Sequence, residues 1–146
     1  MTLLPKDFKD FLQLLNAHEA EYLLIGGYAV GYHGYPRATA DMDIWINPVI
    51  PNIKKVIDVL IEFGFSPQDL TADIFLQKDM IVRLGQPPLR IEILTSISGV
   101  EFSDCYKDKI DDEIDGVKIK IINLKNLKLN KKAANRFKDL DDLEKL

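Results

Sequence analysis

Tyr22-Leu23-Leu24-Ile25-Gly26-Gly27-Tyr28-Ala29-Val30, followed after ten residues by Asp41-Met42-Asp43-Ile44-Trp45-Ile46, decides how this chain is read. The apolar run Tyr22 to Ile25 ends at a glycine pair, which predicts a buried strand and a sharp turn. Tyr28 to His33 is then expected as a short helix, with Gly34 as its left-handed stop. Asp41 to Ile46 reads as a second strand. Side chains two apart on a strand share a face, so Asp41 and Asp43 point one way while Met42, Ile44 and Ile46 point into the core. Two carboxylates with α-carbons about 7 Å apart repel one another unless a cation lies between them. Hard oxygen donors of this kind suit Mg²⁺ or Mn²⁺, which also bind triphosphate oxygens. Gly26 and Gly27, lacking β-carbons, let backbone approach an anion closely at a helix start. Each piece has a plainer reading. An Asp-x-Asp pair can be two solvated charges at a strand edge, glycosyltransferases use the same pair, and a glycine pair is often only a tight turn.

A third carboxylate sits in Leu89-Arg90-Ile91-Glu92-Ile93-Leu94. Alternation puts Glu92 on the less apolar face, where it meets the same cation if this strand neighbours Asp41 to Ile46. Phosphoryl or nucleotidyl transfer with two metals needs about three carboxylates. Otherwise Glu92 is a surface acid paired with Arg90 or a lysine. Just upstream of the Asp pair, Arg37 could clamp a phosphate or neutralise Asp41 and Asp43, and Thr39 lies beside it. His33 reads as a helix-end residue bonded to backbone rather than a catalytic base, and His18 carries no signal.

Working outward, Pro5 to about His18 is expected as a helix with Phe8, Phe11, Leu12 and Leu15 on one face and Pro5 in its first turn. Pro51 to Phe63 is the clearest helix, with a stripe of Ile53, Val56, Ile57, Leu60 and Ile61 closed by Gly64. Ile74 to Gln77, Ile81 to Leu84 and Leu89 to Leu94 read as short strands. Ile110 to Ile114 and Val117 to Ile122 read as a hairpin about Asp115-Gly116. Asn123 caps a helix from Leu124 to about Ala134, and Phe137 to Leu146 forms another set of turns. The expected fold class is mixed α/β, in the α+β sense: a central mixed β-sheet flanked by helices.

The chain has 146 residues, 47% hydrophobic and 29% charged, which fits a single globular domain over 1–146 and excludes disordered and fibrous classes. The lone Cys105 cannot form an internal disulfide and is expected to pack as a small apolar residue. No leader or membrane-spanning run is visible, so a cytoplasmic location without membrane contact is expected. The net charge is −4, yet Val117 to Lys138 contains eight basic residues and no acid. That stretch is either a solvated surface or a local face attractive to phosphates.

Taken together, Tyr22 to Val30, His33-Gly34, Arg37, Thr39, Asp41 and Asp43 resemble the polymerase-β-like nucleotidyltransferase superfamily. The small bacterial group related to AbiEii/AbiGii-type toxins is the nearest match. Ile91-Glu92-Ile93-Leu94-Thr95, Gly99-Val100, Phe102, Gly116-Val117 and Leu127 through Lys131, Ala133-Ala134, Arg136, Lys138-Asp139 and Asp142-Leu143 echo the same group. The resemblance implies the nucleotidyltransferase fold, with Gly26 and Gly27 on the triphosphate and Asp41, Asp43 and Glu92 as catalytic acids and ligands of Mg²⁺ (or Mn²⁺). Glu92 stands where the family usually has Asp, one methylene shorter. Lys131 matches a lysine that could meet the triphosphate, with Arg136 and Lys138 nearby; Arg37 and Thr39 complete the nucleotide-binding set. The implied activity moves a nucleoside monophosphate from a nucleoside triphosphate to a hydroxyl of RNA, protein or a small molecule, as a free enzyme or as the toxin beside an antitoxin partner. The alternative is a catalytically inactive nucleotide- or partner-binding module on the same fold.

Overall fold

The computed structural model describes residues 4–36, 39–86 and 89–146. In chain order the elements are α1 Lys6–Ala17, β1 Tyr22–Ile25, α2 Gly26–Tyr32, β2 Asp41–Ile46, α3 Ile50–Phe63, a 3₁₀ turn Pro67–Asp69, α4 Ala72–Leu76, β3 Ile81–Gln86, β4 Leu89–Leu94, α5 Phe102–Lys107, β5 Ile110–Ile114, β6 Val117–Ile121, α6 Leu124–Ala134 and α7 Phe137–Lys145. The strands form one six-stranded sheet in the order β3-β4-β2-β1-β6-β5. It is mixed: β2 runs parallel to β4 and β1 parallel to β6, while the other neighbours are antiparallel.

β1 and β2 are central strands, and their apolar content follows from burial on both faces. Tyr22 to Ile25 are all buried. Met42, Ile44 and Ile46 share one face by alternation and are buried in the same core cluster as Phe8, Phe11, Leu12 and Leu15 of α1 and Ile53, Val56 and Leu60 of α3. By alternation Asp41, Asp43 and Trp45 occupy the opposite face, where Trp45 meets Phe102 of α5 edge-on at 5.1 Å. Buried Asn52 ties the two layers together. Its amide accepts from the Glu21 N–H (2.7 Å) and donates to the carbonyls of Glu21 and Asn47, both at 2.9 Å, so its polar atoms are satisfied.

The structure differs from the sequence expectations at four places. α2 starts at Gly26 rather than Tyr28, so both glycines belong to its first turn. Ile74 to Gln77 is not a strand: Ala72–Leu76 is a helix that buries Phe75 and packs against α3. Ile61 is exposed, and Val59 takes its place in the buried stripe of α3. Phe137–Lys145 is a regular helix rather than a set of turns, and its buried positions are Asp139 and Asp142. The Asp115-Gly116 hairpin and the Asn123 cap, whose side chain accepts from the Asn126 N–H, form as expected.

Candidate active site

Parallel register between β2 and β4 sets Asp41 opposite Arg90 and Asp43 opposite Glu92. Paired residues project from the same face, so the three acids come together on one side of the sheet. On the other flank β1 pairs Ile25 with Asp43, which delivers Gly26 directly to that carboxylate. A β-carbon on Gly26 would lie 2.2 Å from Asp43 Oδ2, and the Gly26 φ of +65° is itself in the left-handed region. Only glycine fits there. A β-carbon on Gly27 would lie 2.8 Å from both Cβ and Oγ1 of Thr39, whose hydroxyl donates to the Asp41 carbonyl (3.1 Å). Thr39 thus holds the segment entering β2 against the glycine turn.

Asp43 carries the strongest electrostatic perturbation in this group. Burial, then the Glu92 charge and a hydrogen bond with Glu92, then the Asp41 charge, push its carboxyl from 3.8 to about 7, with Lys138 opposing. Its Oδ1 is buried with no hydrogen-bond partner among the described residues. Two arginines hold the other acids. Arg90 donates to both Asp41 oxygens at 3.3 Å, and Arg83 of β3 donates from Nε to Glu92 Oε1 at 3.2 Å. The Glu92 partner is therefore Arg83, across the β3–β4 ladder, rather than Arg90 or a lysine.

A cavity of about 350 Å³ opens beside Asp43, lined by Ile25, Gly26, Gly27, Ser96, Ser98, Asn130, Lys131, Arg136 and Lys138 among others. The expected residues Gly26, Gly27, Asp43, Lys131 and Arg136 meet here. Asp41 and Glu92 are not among the lining residues: Glu92 is paired with Asp43 across the β2–β4 ladder and Asp41 lies two residues back along β2, while Arg37 lies outside the described residues. Lys131 is not aimed at the cavity as a free cation. Its side chain is 4% exposed, with Nζ 3.1 Å from both Asp139 and Asp142. Arg136 caps α7 by donating from Nε to Asp139 Oδ2 at 2.6 Å. Burial opposes the charge on Asp139, but the hydrogen bonds from Arg136 and Lys131 outweigh it and hold its pKa below the usual value. The cluster welds α6 to α7 and leaves Lys138 and the exposed part of Arg136 facing the site. A hydropathy reading passes over Asp139 and Asp142, since nothing local marks them as interior.

His33 donates from Nε2 to the Ile122 carbonyl (2.8 Å) and so is a structural helix-end residue. Cys105 is fully buried, and burial pushes its thiol up to about 11, away from reactive thiolate character.

Among the described residues no three His, Cys, Asp or Glu side chains are already gathered as a ligand cluster; Asp41 is paired with Arg90 and Glu92 with Arg83. The donor set nonetheless fits a hard divalent cation. Asp43 offers an unpartnered buried oxygen, Glu92 and Asp41 flank it on one face, and all donors are carboxylate oxygens.

No protein-family model matches the sequence, and no curated protein matches it. Among solved structures the chain is similar to a Thermotoga maritima protein provisionally named a nucleotidyltransferase. The TM-score is 0.60 at 17% identity, over 94% of this chain and 86% of that one. Such a likeness establishes the architecture: the chain has the nucleotidyltransferase fold.

Proposed function

We propose that the chain is a metal-dependent nucleotidyltransferase that moves a nucleoside monophosphate from a nucleoside triphosphate to a hydroxyl acceptor. The observation that carries this reading is the meeting of Asp43 with both Glu92 and Gly26, which sets paired acids against a side-chain-free turn, with Asp43 and both glycines lining one cavity. The similarity in fold supports it.

Asp43, Glu92 and Asp41 would hold Mg²⁺ or Mn²⁺, which when bound neutralises phosphate charge and lowers the pKa of the attacking hydroxyl. The residues themselves supply the rest. Gly26 and Gly27 admit the phosphate chain against bare backbone. Arg136 and Lys138 neutralise the pyrophosphate as the bond from the α-phosphorus to the bridging oxygen breaks. The acceptor oxygen bonds to that phosphorus, and its proton passes to Glu92. Arg90 binds Asp41 by a two-point contact and Arg83 binds Glu92 at one point, and a bound cation competes with both guanidinium groups for these carboxylates. Incubation with α-labelled nucleoside triphosphates, Mg²⁺ or Mn²⁺, and RNA, protein or cell extract tests the proposal. Transfer of label that disappears in Asp43→Asn supports it, and absence of transfer to every acceptor counts against it.

A second reading is favoured by the same two arginines. Their ion pairs with Asp41 and Glu92 satisfy the acids internally, as in a catalytically inactive module that binds a nucleotide or a partner. Nucleotide binding that survives Asp43→Asn, with no transfer, selects that reading. A role as a toxin with an antitoxin partner predicts growth arrest on expression that Asp41→Ala relieves.

A further inference from the structure

Phe137 is 94% exposed. Among the described residues every other aromatic side chain is buried or half-buried, and the remaining exposed large apolar residues reach only 52%. A phenyl ring left in water forgoes the burial free energy that the other aromatic side chains gain, so its position asks for a reason. Its two chain neighbours, Arg136 and Lys138, both line the cavity that contains Gly26, Gly27 and Asp43. The backbone that carries the ring is tied down on both sides. Asn135 ends α6 in the left-handed conformation (φ 58°), and Arg136 then caps α7 through Asp139. Asp139 is in turn bonded to buried Lys131. The charged cluster between α6 and α7 therefore fixes where Phe137 stands.

We propose that Phe137 is the stacking platform for the nucleobase of a nucleotide whose phosphates lie in the Gly26–Asp43 cavity; the inference rests on the reading given under Proposed function. Cations beside an exposed aromatic match a ligand that carries both phosphate charge and a flat π-face. The ring is too small for the main alternative. One phenyl, with Leu140 a turn further on at 42% exposure, offers a few hundred Å² at most, against the roughly 1,000 Å² that a specific protein interface needs. A base face is of the right size. Stacking is tolerant of base identity, so Phe137 contributes affinity for a nucleotide without choosing among the bases.

Calorimetric titration of the full chain with Mn²⁺ and either ATP or inorganic tripolyphosphate separates this inference from the reading beneath it. Expected is ATP binding weakened about tenfold or more in Phe137→Ala, with tripolyphosphate binding unchanged. Phe137→Trp should retain ATP affinity and show fluorescence quenching by ATP but not by tripolyphosphate, measured against the wild-type signal from Trp45. Equal ATP affinity in wild type and Phe137→Ala overturns the inference while leaving the phosphate site intact. So does a change of oligomeric state in Phe137→Ala without a change in ATP affinity, which assigns the ring to a protein contact. Wild-type protein that binds neither ligand overturns the underlying reading, and the base platform with it.

Discussion

Replacing Asp43 by Asn should make the protein more stable while removing its chemistry. The folded state holds a proton on Asp43 up to about pH 7, whereas the ordinary value for the group is 3.8. Between those two values the folded chain binds more protons than the unfolded chain, so stability falls as pH rises through that window. Each unit of displacement is worth about 1.4 kcal/mol, so the charged carboxylate costs on the order of 4 kcal/mol above pH 7. The cost shrinks towards nothing below pH 4. Asn is nearly isosteric, cannot ionise, and donates an N–H to Glu92 where Asp43 offered a second negative charge. In metal-free buffer at pH 8, Asp43→Asn should melt about 10 °C above wild type, and the two should converge at pH 4. Thermal unfolding followed by circular dichroism across pH 4 to 8, with chelator present, measures this. Equal melting temperatures at pH 8, or a gap independent of pH, would refute the account of Asp43 as a buried acid crowded by Glu92 and Asp41.

Four other outcomes follow from the same geometry. Gly26→Ala drives a methyl into Asp43 Oδ2, 2.2 Å from the ideal β-carbon position; it should cost about 2 kcal/mol in denaturant unfolding and abolish nucleotide transfer. Lys131→Met removes the ammonium from between buried Asp139 and Asp142 and should destabilise by about 3–5 kcal/mol, with a loss that persists when nucleotide is absent. Arg90→Met releases Asp41 from its two-point contact and should tighten Mn²⁺ binding several-fold by calorimetry, since the metal no longer competes with the guanidinium. Mn²⁺ at about a hundred times its dissociation constant should stabilise wild type by about 2.7 kcal/mol and leave the melting temperature of Asp43→Asn unmoved.

Much of the fold was legible because the informative signals are local. Tyr22 to Ile25, the glycine pair and the Asp-x-Asp strand follow one another within a short span, and alternation alone puts Asp41 and Asp43 on one face. Which strands adjoin is a long-range fact. No local rule sets Glu92 opposite Asp43 or gives Arg83 rather than Arg90 to Glu92, since those depend on β4 running parallel to β2. Ile74-Phe75-Leu76 was misread because a run that short has no resolvable period; packing of Phe75 beneath α3 decides it. α7 was misread for the opposite reason. Its buried face is made of Asp139 and Asp142, acids that hydropathy places in water and that Lys131 draws inside. The same charged cluster claims the lysine expected to meet the triphosphate, which leaves Arg136 and Lys138 as the cations beside Asp43 at the cavity.

The central claim is that Asp43, Glu92 and the Gly26 turn form one shared cation and phosphate site. The most direct test is electron paramagnetic resonance of bound Mn²⁺ with and without a nonhydrolysable nucleoside triphosphate, in wild type, Asp43→Asn and Glu92→Gln. The nucleotide should strengthen Mn²⁺ binding in wild type, and either substitution should remove this coupling. Nucleotide binding that is indifferent to Mn²⁺ and to both substitutions would contradict it.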